Sequence, residues 1–349
     1  MVELTPKERF LRTIRGQDID MLPVQCDFTA SGLQKFLGTK GVSNVSDLEI
    51  LPFFENHVLY AYMNGAVLRM KTKDFNGEDI IYDEWHCGWD THQDLCYCTH
   101  PISEWDEFEK YAFPDPNAPG YLDYAEGLIR TGHASDRIVT GYHFCTLFER
   151  AYILRGFENF LVDMMTETEL AAALLDKITD FHVELAKRYI MIGVNCGRTV
   201  DDYGSQQSLM MPPEVWRTLI KPRLARILAV YRNAGLPVIH HSCGNIMEIV
   251  GDLVEIGVNV LNPVQPKALD VKKLSDDYGG KLVFFGGIDN QEVLPYGSPE
   301  DVDAHVKSMT KILGSRGRYV LAPSNGVGND VPPENIEAFF SAAQKYRRI

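Results

Sequence analysis

The sequence predicts an α/β fold: a single (β/α)8 TIM barrel spanning residues 1–349, with a β-hairpin insertion near residues 66–100. Three observations lead there. Short apolar runs near residues 21, 57–68, 138, 198, 237, 258, 282 and 319 alternate with stretches of helical periodicity, and eight is the strand count of that barrel. Each run ends in a polar cluster, as expected of a fold whose chemistry gathers at the C-terminal ends of its strands. No Gly-x-Gly-x-x-Gly follows the first run and no P-loop is present, which disfavours a doubly wound open sheet, the alternative architecture.

Thr5-Pro6-Lys7-Glu8 is a capping box with proline at the first helical position, so a helix opens the chain. Residues 21–26 read as the first strand, with Cys26 and Asp27 at its end. Residues 47–63, rich in aromatics, read as mostly helical. Residues 66–100 break the rhythm: alternating segments around Asn76-Gly77 indicate a hairpin, and Asp83, Glu84, Trp85, His86 and Cys87 stand side by side in it. Such a group can bind metal or form a packed, hydrogen-bonded lid over the barrel mouth beside His241. Strands near 137–144 and 197–203 follow, the second ending in Asp201, Asp202 and Tyr203. Pro212-Pro213-Glu214 opens a long helix that Gly235 ends. The last strands, near 282–285 and 319–322, end in Gly286-Gly287-Ile288-Asp289 and Pro323-Ser324-Asn325.

The centre of the argument is residues 236–266, a β-α-β unit. Its first strand ends in His240, His241, Ser242, Cys243 and Gly244. Asn245 with Glu248 can cap the helix, Gly257 stops it, and the next strand ends in Asn262, Pro263 and Gln265. If the strand runs on to Cys243, His241 and Cys243 share a face, and imidazole plus thiolate suits zinc. The plainer reading is a buried free cysteine beside a hydrogen-bonded histidine.

Composition narrows the function. With 34 basic and 48 acidic residues the net charge is −14, which argues against nucleic acid and anionic membranes as partners. No apolar run approaches the ~20 residues of a membrane span, and the polar start carries no signal peptide. Seven cysteines in no regular framework suggest a reducing, cytoplasmic location with thiols free or bound to metal.

The segments ERFLRTIRGQDIDMLPV, DDYGSQQSLMMPPEVWRTLIKPRL, GGID at 286–289 and the tail LAPSNGVGNDVPPENI resemble the uroporphyrinogen decarboxylase superfamily over nearly the whole chain. The resemblance implies the barrel independently of the strand count. It is weaker to the decarboxylase itself: the arginine-rich loop that grips the acidic tetrapyrrole reads CDFTASG here, and Asn325 stands where the tail carries histidine. The chain is more similar to the zinc-dependent methyltransferases that work with corrinoid proteins. Their mark is His-x-Cys, here His241 and Cys243, plus a third cysteine after the last strand, which this chain lacks.

That branch implies zinc, cobalamin carried on a partner corrinoid protein, and a small methyl donor or acceptor. A complete site needs a substitute third ligand such as Cys26, Glu84, His143 or Asp202; Glu84 is the first choice, because a carboxylate on a lid can close over the metal, and Cys26 the second. Asp202, Gln206 and Asp289 are expected to orient substrate or ligands, though Asp289 can equally fix its own loop. Two other classes stay open: a decarboxylase of another acidic substrate, for which Arg69, Arg150 and Arg198 are the candidate cationic clamps, and a non-catalytic binding barrel.

Overall fold

The computed structural model describes residues 3–41, 55–63, 70–73, 79–90 and 96–348. Its strands are β1 (Val58–Ala61), β2 (Met70–Lys73), β3 (Asp79–Tyr82), β4 (Gly88–Asp90), β5 (Cys96–Tyr97), β6 (Ile138–His143), β7 (Cys196–Val200), β8 (Val238–His241), β9 (Val260–Val264), β10 (Val283–Ile288) and β11 (Tyr319–Pro323). Seven of them pair in the order β1-β6-β7-β8-β9-β10-β11. All six pairings are parallel. The strands β7, β9, β10 and β11 are buried at every position, as in a parallel sheet covered on both faces.

The sheet curls, because its two outer strands meet one segment. Residues 21–26, expected as the first strand, touch β11 through a single parallel bridge, Val24 to Leu321. On the other side Gln25 takes the place of a ladder: its Oε1 accepts from the backbone of His57 (3.0 Å) and Val58 (3.1 Å), and its Nε2 donates to Val58 O at 3.1 Å. Pro23, with no N–H to give, also limits ladder pairing here. A side-chain amide thus does the work of backbone groups, and the expected strand is seen as this bridge segment.

One apolar cluster fills the inside of the curl with residues from every strand of the sheet, Val58, Ile138, Cys196, Ile239, Val260, Val283 and Val320 among them, and Phe10 and Ile14 of the helix Pro6–Arg15 join it. That helix carries the expected capping box: Thr5 Oγ1 accepts from Glu8 N at 3.2 Å. A larger cluster lies between the sheet and the outer helices, such as Thr168–Ile192 and Lys221–Asn233. The expected long helix from Pro213 is interrupted by a π-helical turn, Trp216–Ile220.

Between β1 and β6 stands a four-stranded antiparallel sheet, β2-β3-β4-β5, in the stretch where a hairpin was expected. The Asn76-Gly77 turn and Arg69 lie outside the described residues. So do residues 47–54 of the expected helix at 47–63; its end is corrected, since Val58–Ala61 is strand β1. The antiparallel sheet is fastened near the C-terminal end of β6. Trp89 packs on Phe144 at 5.9 Å between ring centroids, and Arg150, on the helix Phe148–Arg155, pairs with Asp83 at 2.7 Å.

Candidate metal centre

Side chains on a strand alternate, so every second residue of each strand points into the curl. The inward rows begin apolar and turn polar toward the C-terminal end: Cys196, Arg198, Val200, Asp202; Ile239, His241, Cys243; Val260, Asn262. Register sets what meets what. Val200 lies opposite His241, so Asp202 and Cys243, two residues further along each chain, come level. His241 lies opposite Asn262.

Imidazole, thiol and carboxylate of His241, Cys243 and Asp202 place one ligand atom each within 4.8 Å of the others. His241 Nε2 stands 3.5 Å from Cys243 Sγ and 3.8 Å from Asp202 Oδ1. Ligands about 2.0–2.3 Å from a tetrahedral zinc are themselves roughly 3.4–3.6 Å apart, so the spacing and the donor chemistry both fit. The opposite ring nitrogen fixes the tautomer. Asn262 Oδ1 accepts from Arg198 Nη2 at 2.9 Å and lies 2.7 Å from His241 Nδ1. An amide oxygen only accepts, so Nδ1 carries the proton and Nε2 keeps its lone pair toward Cys243 and Asp202.

The two loops that carry these groups are zipped together. Asp202 Oδ1 accepts from Cys243 N at 2.7 Å, Tyr203 N donates to Ser242 Oγ at 3.0 Å, and Asn245 N donates to Ser205 O at 2.7 Å. Gly244 has φ +82° and sits so close to Gly204 that a Cβ would lie 2.2 Å from its carbonyl oxygen, so only glycine fits there. Neighbours of the cluster face away from it. His240 points outward to Thr199 Oγ1 at 2.9 Å. Asp201 accepts from the backbone of Phe148 (2.9 Å) and Glu149 (2.8 Å), anchoring the start of their helix.

These groups open on a cavity of about 430 Å³, whose walls include Asp27, Phe28, Tyr60, Tyr62, Tyr142, Phe144, Glu149 and Phe285. Burial lowers the pKa of His241, with Asp202 acting in the opposite direction, and so favours the neutral ring. Burial, reinforced by Asp202 and Glu149, pushes the Cys243 thiol above its usual range. Glu149 lines the same cavity, and burial followed by the charges of Asp202 and Asp201 raises its carboxyl well above the usual range.

The expected third ligand, Glu84, is not among the three donors brought together. It lines a separate small cavity with Met63, Trp85, Phe181 and His182. Asp202, expected to orient substrate and also named as a substitute ligand, supplies the third donor. Cys26 borders a neighbouring cavity, and His143 bonds His182 (3.0 Å) and Tyr231 (2.7 Å). Gln206 and Asp289 do not line the metal-site cavity. Gln206 donates to Gln291 Oε1 at 2.9 Å, and Asp289 Oδ1 accepts from Gln291 N at 2.8 Å, so both brace loops. Of the candidate clamps, Arg150 is taken by Asp83, whereas Arg198 lies in the cavity wall. Two roles were missed, those of Asn262 and Asn325. Asn325, after β11, donates to Cys243 Sγ at 3.6 Å. The available signal for both was their position just after or within a strand end.

A curled parallel sheet with inward polar groups at the ends of its strands defines an α/β protein of the kind whose strand-end loops carry chemistry. The chain belongs to the uroporphyrinogen decarboxylase (URO-D) family, whose profile matches residues 90–346. Within it, the chain stands nearer the methyltransferase branch than the decarboxylases. The methylcobamide:CoM methyltransferase MtbA of Methanosarcina mazei is 24% identical over 358 aligned residues, covering 99% of this chain and 100% of that protein. A uroporphyrinogen decarboxylase of Geobacter metallireducens is 23% identical over 262 residues, 70% of this chain and 72% of its own. The solved structure of a methyltransferase from Methanosarcina mazei shares the fold, with a TM-score of 0.73 at 19% identity over 99% of both chains. Among the described residues no helix is long and apolar enough to cross a membrane.

Proposed function

We propose that this protein is a methyltransferase that moves a methyl group between a small substrate and a corrinoid (cobalamin) bound to a partner protein. Zinc would be held by His241, Cys243 and Asp202, at the mouth of a closed, single-domain (β/α)8 barrel whose eighth member is the bridge segment at residues 21–26. The observation that carries the reading is the convergence of three zinc-type donors on one cavity, with the tautomer of the histidine already set by Asn262. It agrees with what the relatives' names say of those proteins. Zinc bound there would act as a Lewis acid, lowering the pKa of a substrate thiol or polarising an ether or hydroxyl oxygen.

The chain's own residues do the rest. Asn262 holds the His241 ring with Nε2 facing the cluster. Asn325 donates to the sulfur of Cys243, which lowers its basicity as a neutral hydrogen bond does. Phe28, Tyr60, Tyr142 and Phe144 keep much of the cavity wall apolar, so that water is a poor competitor for the substrate.

The test is zinc content and melting temperature measured side by side for wild type, Cys243→Ser and Asp202→Asn, after growth with zinc supplied. Both variants are expected to lose zinc and to melt within a few degrees of wild type, since the barrel core is built without the metal. Wild type free of zinc would remove the reading's main support; a Cys243→Ser protein that binds zinc as well as wild type does would mean that the ligands are wrong. Decarboxylation of an acidic substrate is the second reading, with Arg198 in its favour. One guanidinium is too little for a substrate with many carboxylates, so turnover of uroporphyrinogen is expected to be negligible, and rates near ~1 per second would overturn that.

A further inference from the structure

Two histidines are buried side by side where the antiparallel sheet rests on the barrel wall. His143 ends β6, and His182 stands on the helix Thr168–Ile192. Their Nδ1 atoms lie 3.0 Å apart, so one ring donates and the other accepts. His143 Nε2 continues the chain to Tyr231 Oη at 2.7 Å, on the helix Lys221–Asn233. At the other end, His182 Nε2 is buried with no hydrogen-bond partner among the described residues. Neither ring belongs to the metal cluster. The cover over His182 comes from the antiparallel sheet: Trp85, itself buried, stacks on the ring at 6.3 Å between centroids and 27° between planes, and Phe181 stands edge-on to both. The space beside them is about 10 Å³, no larger than one water molecule needs.

The docked arrangement suits a neutral ring. Protonated, His182 carries an N–H on both nitrogens, and Nε2 meets no acceptor there. The ionisable groups around it come from every packed element. The sheet brings Asp83, Glu84 and Cys87, the first and last turned to Arg150 of the helix Phe148–Arg155. Glu84 borders the same small space as His182. Tyr111 donates to Trp85 O, and Tyr189 and Tyr231 flank His143. Burial first, then His143 and Arg150, hold His182 well below its ordinary value of 6.5, and burial holds His143 at about 3. For such depressed bases the covered state is at full strength above pH 6.5, where the rings are neutral whether covered or not. It weakens as pH falls below 6.5, because only the uncovered ring takes the proton readily.

We propose that His182 is a pH-operated latch for the antiparallel sheet: neutral, it seats Trp85 and keeps the turn between β3 and β4 docked; protonated, it lets that turn lift and loosens the wall the sheet supports. That wall belongs to the metal-site cavity too. Tyr142 and Phe144 line both spaces, and Trp89 of β4 packs on Phe144 at 5.9 Å. The Asp83–Arg150 pair makes opening rare, and His182 sets how opening varies with acidity. The latch holds whatever reaction the cavity performs, so it stands or falls apart from the methyl-transfer reading.

Hydrogen exchange followed by mass spectrometry on the purified full chain reads the opening, once rates are corrected for the intrinsic pH dependence of exchange. For peptides covering residues 79–90 the opening constant is expected to rise about five- to tenfold from pH 6 to pH 5, the effect of one proton on a base that titrates near 6.5 when uncovered. Peptides covering residues 236–266 should show no such rise. His182→Asn keeps a polar group near the Nδ1 position, and His182→Phe keeps a ring under Trp85; each should flatten the dependence, while Glu84→Gln should keep it. A wild-type opening constant that does not change with pH overturns the latch without any variant. So does an equal rise in residues 236–266, which would mean that the whole barrel opens. A His182→Asn or His182→Phe protein that retains the rise, or a Glu84→Gln protein that loses it, assigns the proton to another group and overturns it as well. If neither His182 variant folds, the wild-type profile and Glu84→Gln still decide.

Discussion

Two places in the chain crowd carboxylate, histidine, cysteine and arginine together: residues 83–87 with Arg150, and residues 241–243 with Asp202 and Arg198. Their chemistry is alike and their wiring is opposite. In the first, the Asp83 carboxylate is saturated. Oδ1 accepts from the backbone of Trp85 (3.0 Å) and Cys87 (2.9 Å), and Oδ2 from Trp89 Nε1 (3.0 Å) and Arg150 Nη1 (2.7 Å). Arg150 also lies over the Trp85 ring at 5.1 Å and donates to Cys87 Sγ at 3.7 Å. These groups face one another and fasten the antiparallel sheet to the helix Phe148–Arg155. In the second place they face a shared cavity, and Arg198 keeps two donors unused. Polar composition alone does not mark a site; what marks it is whether the donors are spent on each other.

The largest expected effect breaks the first network. Asp83→Ala leaves Arg150, 1% exposed, without its counter-charge, and should cost about 3–5 kcal/mol in chemical denaturation. Asp202→Asn, at a carboxylate whose side chain is 32% exposed, should cost less than about 1 kcal/mol while removing zinc. Equal losses of stability would erase the distinction between a fastening and a site.

Next in size is Asn262→Ala. It frees His241 to rotate and to change tautomer, and an outer partner of a metal-bound histidine is typically worth about 10–100-fold in affinity, or roughly 1.4–2.7 kcal/mol. Competition with a chelator reads this directly. An unchanged zinc affinity would mean that the 2.7 Å contact with His241 Nδ1 does not orient the ring toward the metal.

A comparable effect follows from pH. Burial holds His241 neutral and the Cys243 thiol protonated, the latter with a pKa above its ordinary value of 9.0. Zinc takes a thiolate and a neutral imidazole, so between pH 7 and 8, above the ordinary imidazole pKa of 6.5 that burial lowers further, each ion bound displaces one proton from Cys243. Apparent affinity should therefore rise about tenfold per pH unit across that window. In Cys243→Ser this slope should vanish along with most of the binding. A flat profile in wild type would show that the sulfur is not a ligand.

Much of this was legible before the fold was known, and the reason is local. Strands β6 to β11 are short apolar runs bounded by glycine, proline and polar residues, so their order and their polar ends could be read directly, His241 and Cys243 included. The first strand could not be read as a bridge segment, because nothing local says that the Gln25 amide will stand in for a ladder. The third donor was ambiguous because it depends on register. Once β7 and β8 are taken as neighbours in a barrel, Val200 opposite His241 makes Asp202 the partner of Cys243, but that register belongs to the folded sheet. Arg198 was visible as a cation near a strand end. That it alone of the buried arginines among the described residues has no carboxylate partner depends on how distant segments pack together.

The smallest expected effect tests the boundary between the two regions. Glu84 belongs by sequence to the fastening stretch and was the first choice as a ligand, since a carboxylate on a covering sheet can close over a metal. In the structure it is 9% exposed and borders a space of about 10 Å³ beside Trp85, Phe181 and His182, while Tyr142 and Phe144 line both this space and the metal-site cavity. A carboxylate on the far side of two aromatic rings contributes no donor atom to the cluster and acts on it only through screened charge. Glu84→Gln should therefore leave zinc content at the wild-type level and zinc affinity within about twofold, less than 0.5 kcal/mol. A tenfold loss would mean that the antiparallel sheet swings toward His241 when metal binds. The two regions would then be parts of one site, closed by the metal, and the separation drawn from their hydrogen bonding would hold for the metal-free protein only.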